Sequence, residues 1–167
     1  MEDDSLITGF SSAKFSKCKQ HRFVLWRGWD MTKPFILFIG LNPSRGNDFY
    51  NDPTITRCIN FSKSWGFGGM LFGNLFSKIS PKPDVIKNDL DTANHPKANE
   101  YLMRMISMAD TVVFCWGSWK FIDNRKYFIH TLCDGKESVK CFSKNKDGNP
   151  KHPLYIKSSA QLINYRS

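Results

Sequence analysis

The run Phe35-Ile36-Leu37-Phe38-Ile39, closed by Gly40-Leu41-Asn42-Pro43-Ser44, limits what this chain can become. An apolar stretch of this length, ended by a turn signal, reads as a strand buried on both faces. Two-sided burial belongs to open parallel sheets covered by helices. In such sheets ligands sit just past the carboxyl ends of the strands. Asn42 and Ser44 therefore stand where chemistry is expected, although Asn-Pro is turn chemistry in its own right.

Further apolar runs repeat the pattern. Met70 to Phe76 follows Gly68-Gly69, Thr111 to Trp116 is closed by Gly117-Ser118, and Ser138 to Phe142 is a shorter run. Helical spacing lies between them. Asp52-Pro53 supplies an N-cap and an N1 proline, and Ile55, Cys58, Ile59, Ser62 and Trp65 follow up to Gly66. Ala98, Leu102, Met105, Ile106 and Ala109 mark the apolar face of a helix over 95–109, and a weaker basic helix is expected over 119–132. His21 to Trp29 is rich in β-branched and aromatic residues and is expected as an edge strand. Residues 77–93, with Pro81 and Pro83, read as a long polar loop of the kind that carries function. Residues 1–20 read as loosely ordered, and the C-terminal residues as helix or coil. The alternation predicts one α/β domain over 1–167, a three-layer α/β/α fold with a four-stranded parallel sheet and right-handed crossovers.

Charge and cysteine usage narrow the function. The formal charge is +9, and Lys136, Lys140, Lys144, Lys146, Lys151 and Lys157 crowd the C-terminal third, which points to a polyanionic partner such as nucleic acid. The five cysteines, Cys18, Cys58, Cys115, Cys133 and Cys141, include no CxxC pair, which argues against a disulfide framework and a zinc or iron–sulfur site. No GxSxG pattern supports a serine hydrolase. No apolar run reaches the ~20 residues of a membrane span, and Met1-Glu2-Asp3-Asp4 lacks the basic start of a signal peptide. A cytoplasmic protein without membrane partner, metal or cofactor is expected, as a monomer.

In a parallel sheet the strand ends meet on one edge. That edge gathers Asn42-Pro43-Ser44, Asn74, Trp116-Gly117-Ser118 and the loop with His152, with lysines beside them. Asp48 and Asp52 are near, but Asp52 is accounted for as a helix cap. This set resembles the uracil-DNA glycosylase superfamily. Gly40-Leu41-Asn42-Pro43-Ser44 is similar to the Gly-Ile-Asn-Pro-Gly loop of its mismatch-specific, thymine-excising branch. Phe114-Cys115-Trp116-Gly117-Ser118 resembles the Leu-Leu-Trp-Gly-Ser strand end of the uracil-specific branch. His152-Pro153-Leu154 resembles that branch's His-Pro-Ser-Pro-Leu with two residues missing. Asn74 falls where the superfamily places an asparagine that reads the pyrimidine edge. Residues 23–156 also resemble a widespread group of small bacterial and phage proteins that share Leu-Trp-Arg, Leu-Asn-Pro-Ser, Asp-Pro-Thr, Trp-Gly, Asn-Leu-Phe and Lys-Asp-Gly-x-Pro-x-His-Pro-Leu-Tyr.

The resemblance implies a monofunctional DNA glycosylase that flips a pyrimidine out of the DNA and cuts its bond to deoxyribose. His152 would stabilise negative charge on the leaving base, and Asn42 would position the attacking water. Gly40, Leu41, Pro43, Ser44, Tyr50, Asn74 and Gly117 would contact the base, with Asn74 pairing to its edge. Ser118, Lys144, Lys146, Lys151 and Leu154 would contact DNA, Leu154 as a candidate wedge. The uracil-specific branch carries a tyrosine at the position of Ser44, so the small side chain here implies room for a 5-substituent: thymine, or hydroxymethylated or glucosylated bases. Such bases mark some phage genomes, which implies a defence role. Two other functions fit the same residues: a module that reads a modified base without cleaving it, and an enzyme on a nucleotide-like small molecule.

Overall fold

The computed structural model describes residues 4–166. Its centre is one seven-stranded mixed sheet, so the α/β class holds. In chain order the strands are β1 (Ser11–Phe15), β2 (Arg22–Gly28), β3 (Phe35–Gly40), β4 (Gly69–Asn74), β5 (Thr111–Phe114), β6 (Val139–Cys141) and β7 (Ile163–Asn164). Across the sheet the order is β1-β2-β4-β3-β5-β6-β7. The sheet is not the four-stranded parallel one expected from the apolar runs. Strands β4, β3, β5 and β6 do run parallel, but β1 and β2 extend the sheet antiparallel beside β4, and β7 caps β6 antiparallel.

Three local expectations are corrected. β2 is an interior strand between β1 and β4, not an edge, and Val24, Leu25 and Trp26 are fully buried. The N-terminal segment contributes β1, whose intermediate burial gave no clear period to read. The polar loop over 77–93 holds the short helix α2 (Pro83–Asn88), with Pro83 in its first turn.

Both faces of the sheet are covered. On one, Leu25, Ile36, Phe38, Met70, Phe72 and Val113 pack against Ile55, Cys58 and Phe61 of helix α1 (Pro53–Ser64). On the other, Leu37, Ile39, Leu71, Val112 and Phe114 meet Leu102, Met105 and Ile106 of α3 (Ala98–Met108) and Ile129 of α4 (Asp123–Leu132). Alternate residues of β3 thus serve opposite cores, which is why its sequence is apolar throughout. Cys58, Cys115, Cys133 and Cys141 are buried and free, while Cys18 is exposed. No helix among the described residues is long and apolar enough to cross a membrane.

Gly68 closes the link from β2 to β3 by accepting the Trp29 and Asp30 backbone N–H groups, each at 2.9 Å. A methyl group there would sit 1.8 Å from the Asp30 carbonyl oxygen. Gly68→Ala is therefore expected to destabilise the protein by about 1–3 kcal/mol, read as a lower urea midpoint. An unchanged midpoint would overturn this account of the turn.

Candidate active site

The cleft lies at the carboxyl edge of the parallel strands. Beyond Gly40 the chain from β3 stays zipped to the chain leaving β4. Leu75 N–H donates to Gly40 O, Phe76 N–H to Leu41 O and Ser80 N–H to Pro43 O, each at 2.9 Å. The Asn42 side-chain nitrogen donates to the carbonyls of Ser80 at 2.9 Å, Pro43 at 3.1 Å and Lys78 at 3.3 Å. Only the amide nitrogen can serve carbonyl oxygens, so this side chain has one orientation and Oδ1 is left as its free acceptor. Asn42 does not make the Asx-turn that Asn-Pro suggests.

Parallel pairing sets Gly40 opposite Asn74 and so brings Asn74 beside the Asn42 loop. Asn74 is 6% exposed, and its Oδ1 is buried without a hydrogen-bond partner. A buried polar atom in that state costs about 1–3 kcal/mol. Arg22, at the start of β2, is 3% exposed. Its Nη1 donates to Gly46 O at 3.2 Å, while its Nε is buried and unpartnered. Among the described residues no carboxylate lies within ion-pair distance of it. Burial pulls its pKa down to about 10 against the opposing pull of Asp52, so it stays cationic at neutral pH. Gly46 permits this approach: a methyl group there would lie 2.8 Å from Arg22 Nη1 and 2.2 Å from Ile55 Cδ1.

Asp52 is the α1 N-cap that its sequence context indicates, with Oδ1 accepting from Ile55 N–H at 2.9 Å. His152 caps a 3-10 turn (Pro153–Tyr155), its Nδ1 accepting from Leu154 N–H at 3.2 Å. The turn is tied to α1 by Arg57 Nε, which donates to Pro153 O at 2.7 Å. The preceding loop is tied to the end of β5 by Gly117 N–H donating to Pro150 O at 2.9 Å. With Nδ1 occupied as an acceptor, the neutral ring carries its proton on Nε2. Burial pushes the imidazole pKa below its usual value, and Asp52 pulls it partly back.

These side chains line one cavity of about 160 Å³, together with Leu41, Pro43, Ser44, Phe72, Ser80, Trp116 and Trp119. That is below the ~300–1,000 Å³ of sites for drug-sized ligands and suits a group the size of one base. Gly40, Leu41, Asn42, Pro43, Ser44, Asn74 and His152 meet here. Tyr50 and Gly117, also expected at the base, do not, and the residues expected on DNA lie outside the cleft. Gly117, Ser118, Lys151 and Leu154 line an adjoining chamber of about 520 Å³ that shares Trp116, Trp119 and His152 with the cleft. Gly117, at φ 80°, turns the chain toward Pro150 and away from the cleft. Tyr50 lines a separate depression with Arg57 and Leu154. The Arg27 guanidinium binds the carbonyls of Asn47 and Tyr50, and the Tyr50 side chain stays exposed. Lys144 sits 4.8 Å from the Tyr165 ring centre, and neither it nor Lys146 lines cleft or chamber. The sequence reading missed Arg22, and accounted for Asp52 as a helix cap alone, whereas it also lines the cleft. A charged residue opening the apolar run Phe23 to Trp26 was the available signal for Arg22. Among the described residues no group of three or more His, Cys, Asp or Glu is placed to hold a metal ion.

A family model described as "Protein of unknown function (DUF1643)" matches residues 22–154. The chain belongs to this family. Every cleft residue, from Arg22 to His152, falls inside the matched span. No curated protein and no solved structure matches the chain.

Two outcomes follow from this geometry. Nitrogen NMR of His152 is expected to show the Nε2–H tautomer, titrating below 6.5. Because its folded pKa is depressed, its contribution to stability is whole above the unfolded value and is lost as pH falls through the folded one. Asn74→Leu is expected to leave the melting temperature unchanged or raised, since it removes an unpaired buried oxygen, while abolishing ligand binding. A clear loss of stability would show Asn74 to be structural.

Proposed function

We propose that this protein is a monofunctional DNA glycosylase that hydrolyses the bond between deoxyribose and a 5-substituted pyrimidine, such as a hydroxymethylated or glucosylated base. The observation that carries the reading is the base-sized cleft lined by Asn42, His152, Asn74 and Arg22, the last two each holding a buried polar atom without a partner, Asn74 Oδ1 and Arg22 Nε. A flipped pyrimidine offers both a donor and acceptors along its edge, which suits an orphan acceptor and an orphan donor in one pocket. The helix layers on both faces of the parallel strands agree with a three-layer α/β/α fold of the uracil-DNA glycosylase type.

In this reading the pyrimidine enters between Phe72 and the Asn42 loop, with Asn74 reading its edge. As the glycosidic bond lengthens, the sugar becomes oxocarbenium-like and the base gains negative charge. His152 Nε2–H donates to the oxygen that gains that charge. Asn42 Oδ1 accepts a hydrogen bond from the water that attacks C1′. Asn42 is neutral, so it holds the water rather than taking its proton. Ser44 leaves space at the position where a tyrosine would crowd C5, and the adjoining chamber gives a bulky substituent somewhere to go. Phe49 and Tyr155, 88% and 82% exposed, offer stacking faces for flanking bases. Lys144, Lys146 and Lys151 supply phosphate contacts, and the base would leave as part of a defence against modified phage DNA.

The test is strand cleavage by alkali after incubation with labelled oligonucleotides. Each carries one uracil, thymine opposite guanine, 5-hydroxymethyluracil, 5-hydroxymethylcytosine or its glucosylated form. Excision of a substituted base is expected, slowed at least about 100-fold in Asn42→Ala. Ser44→Tyr is expected to lose the substituted bases before uracil; equal loss on both would sink the C5 argument. The buried charge on Arg22, which has no carboxylate within ion-pair distance, favours a second reading, an enzyme on a nucleotide-like small molecule whose phosphate pairs with it. Binding to long DNA that weakens steeply with salt speaks for the first reading.

A further inference from the structure

The cleft holds a charge that neither the cap nor the asparagine mechanism requires. Asp52 is the one acidic side chain among the residues lining it. Capping uses Oδ1 alone, in the bond to Ile55 N–H. No other hydrogen bond or ion pair of the described residues engages the carboxylate. An asparagine caps a helix as well as an aspartate does, so capping does not explain a negative charge here. Arg22, buried in the same cleft, feels the Asp52 charge, but the two are not within ion-pair distance, so no salt bridge engages the carboxylate. A half-buried carboxylate with one oxygen uncommitted, on a residue that lines the cavity together with Asn42, His152 and two residues holding unpartnered polar atoms, Asn74 and Arg22, is placed for chemistry.

We infer that Asp52 is a catalytic carboxylate: its free oxygen takes the proton of the attacking water, and its charge stabilises the cationic sugar. This rests on the glycosylase reading above and supplies the base that Asn42 cannot be. The charge pattern of the cleft matches the reaction. The His152 Nε2 donor and the nearby Arg22 cation suit the base, which becomes negative, and Asp52 suits the sugar, which becomes positive. The water oxygen forms a bond to C1′ as the bond from C1′ to the base nitrogen breaks. That bonding pair leaves with the base, held by His152 until it takes a proton from solvent. The water proton passes to Asp52, which later returns it to solvent. The sum is one water consumed, one free base and one abasic sugar.

The test compares the full-length wild type with Asp52→Asn and Asp52→Ser, both of which retain a capping oxygen. Three quantities are read: melting temperature, affinity for an oligonucleotide with a non-hydrolysable 2′-fluoro sugar at the target base, and single-turnover excision. Both variants are expected to melt near the wild type and to bind the fluorinated oligonucleotide at least as tightly. Excision is expected to be slower by about 100-fold or more, the range of a lost general base. Variants that excise within threefold of an active wild type would overturn the role of Asp52 and leave the glycosylase reading intact. Variants that both melt well below the wild type would make the carboxylate a structural counter-charge to Arg22, and would also overturn it. A wild type that excises none of the bases removes the glycosylase reading, and the role of Asp52 with it.

Discussion

Burial of β3 on both faces is the constraint on which the rest depends. A strand with no solvent face cannot alternate polar and apolar residues, and it must be flanked by strands and covered by helices on both sides. Its neighbours β4 and β5 run parallel to it, so the chain leaves all three at the same edge. Asn42, Asn74 and Trp116 come together there because of strand direction, although they lie far apart in sequence. The backbone zipper past Gly40 and Leu41 then holds the Asn42 loop against the segment that follows Asn74.

The cleft is built at a cost to the fold. A buried amide oxygen and a buried guanidinium nitrogen have no partners in the protein. The rest of the structure supports them: Gly46 lets the loop close over Arg22, and the Arg57 bond to Pro153 anchors the His152 turn on α1. Polar atoms left unpaired inside a well-packed molecule are rare enough that each calls for an explanation. Arg125 is a second buried arginine with an unpartnered nitrogen, but its Nε is used by the Leu75 carbonyl at 2.7 Å and it lines no cavity described above.

Much of the frame was legible from local pattern. The apolar runs located β3, β4, β5 and β6, and Asp52-Pro53 located the start of α1, because two-sided burial and capping chemistry leave marks within a few residues. The flanking strands were harder. β1 is half-buried along its whole length, and β7 is two exposed residues, so neither carries a period. β2 reads as an edge because a strand's neighbours are not written in its own sequence. Of the site, Asn42, Ser44 and Asn74 could be named from strand ends and His152 from its loop and motif, whereas Tyr50 and Gly117 were drawn away by backbone contacts to Arg27 and Pro150.

The sequence by itself determined that this chain forms an α/β domain with a basic surface and a polar edge past its central strand, since burial, helix spacing and charge are properties of short segments. Only the tertiary structure decided which polar atoms face one another. The orientation of the Asn42 amide, the proton on His152 Nε2, the unpaired state of Arg22 and the presence of Asp52 in the cleft all depend on partners far away in the chain. Hydrogen bonding and desolvation act over a few ångströms of space, and no spacing along the sequence encodes them.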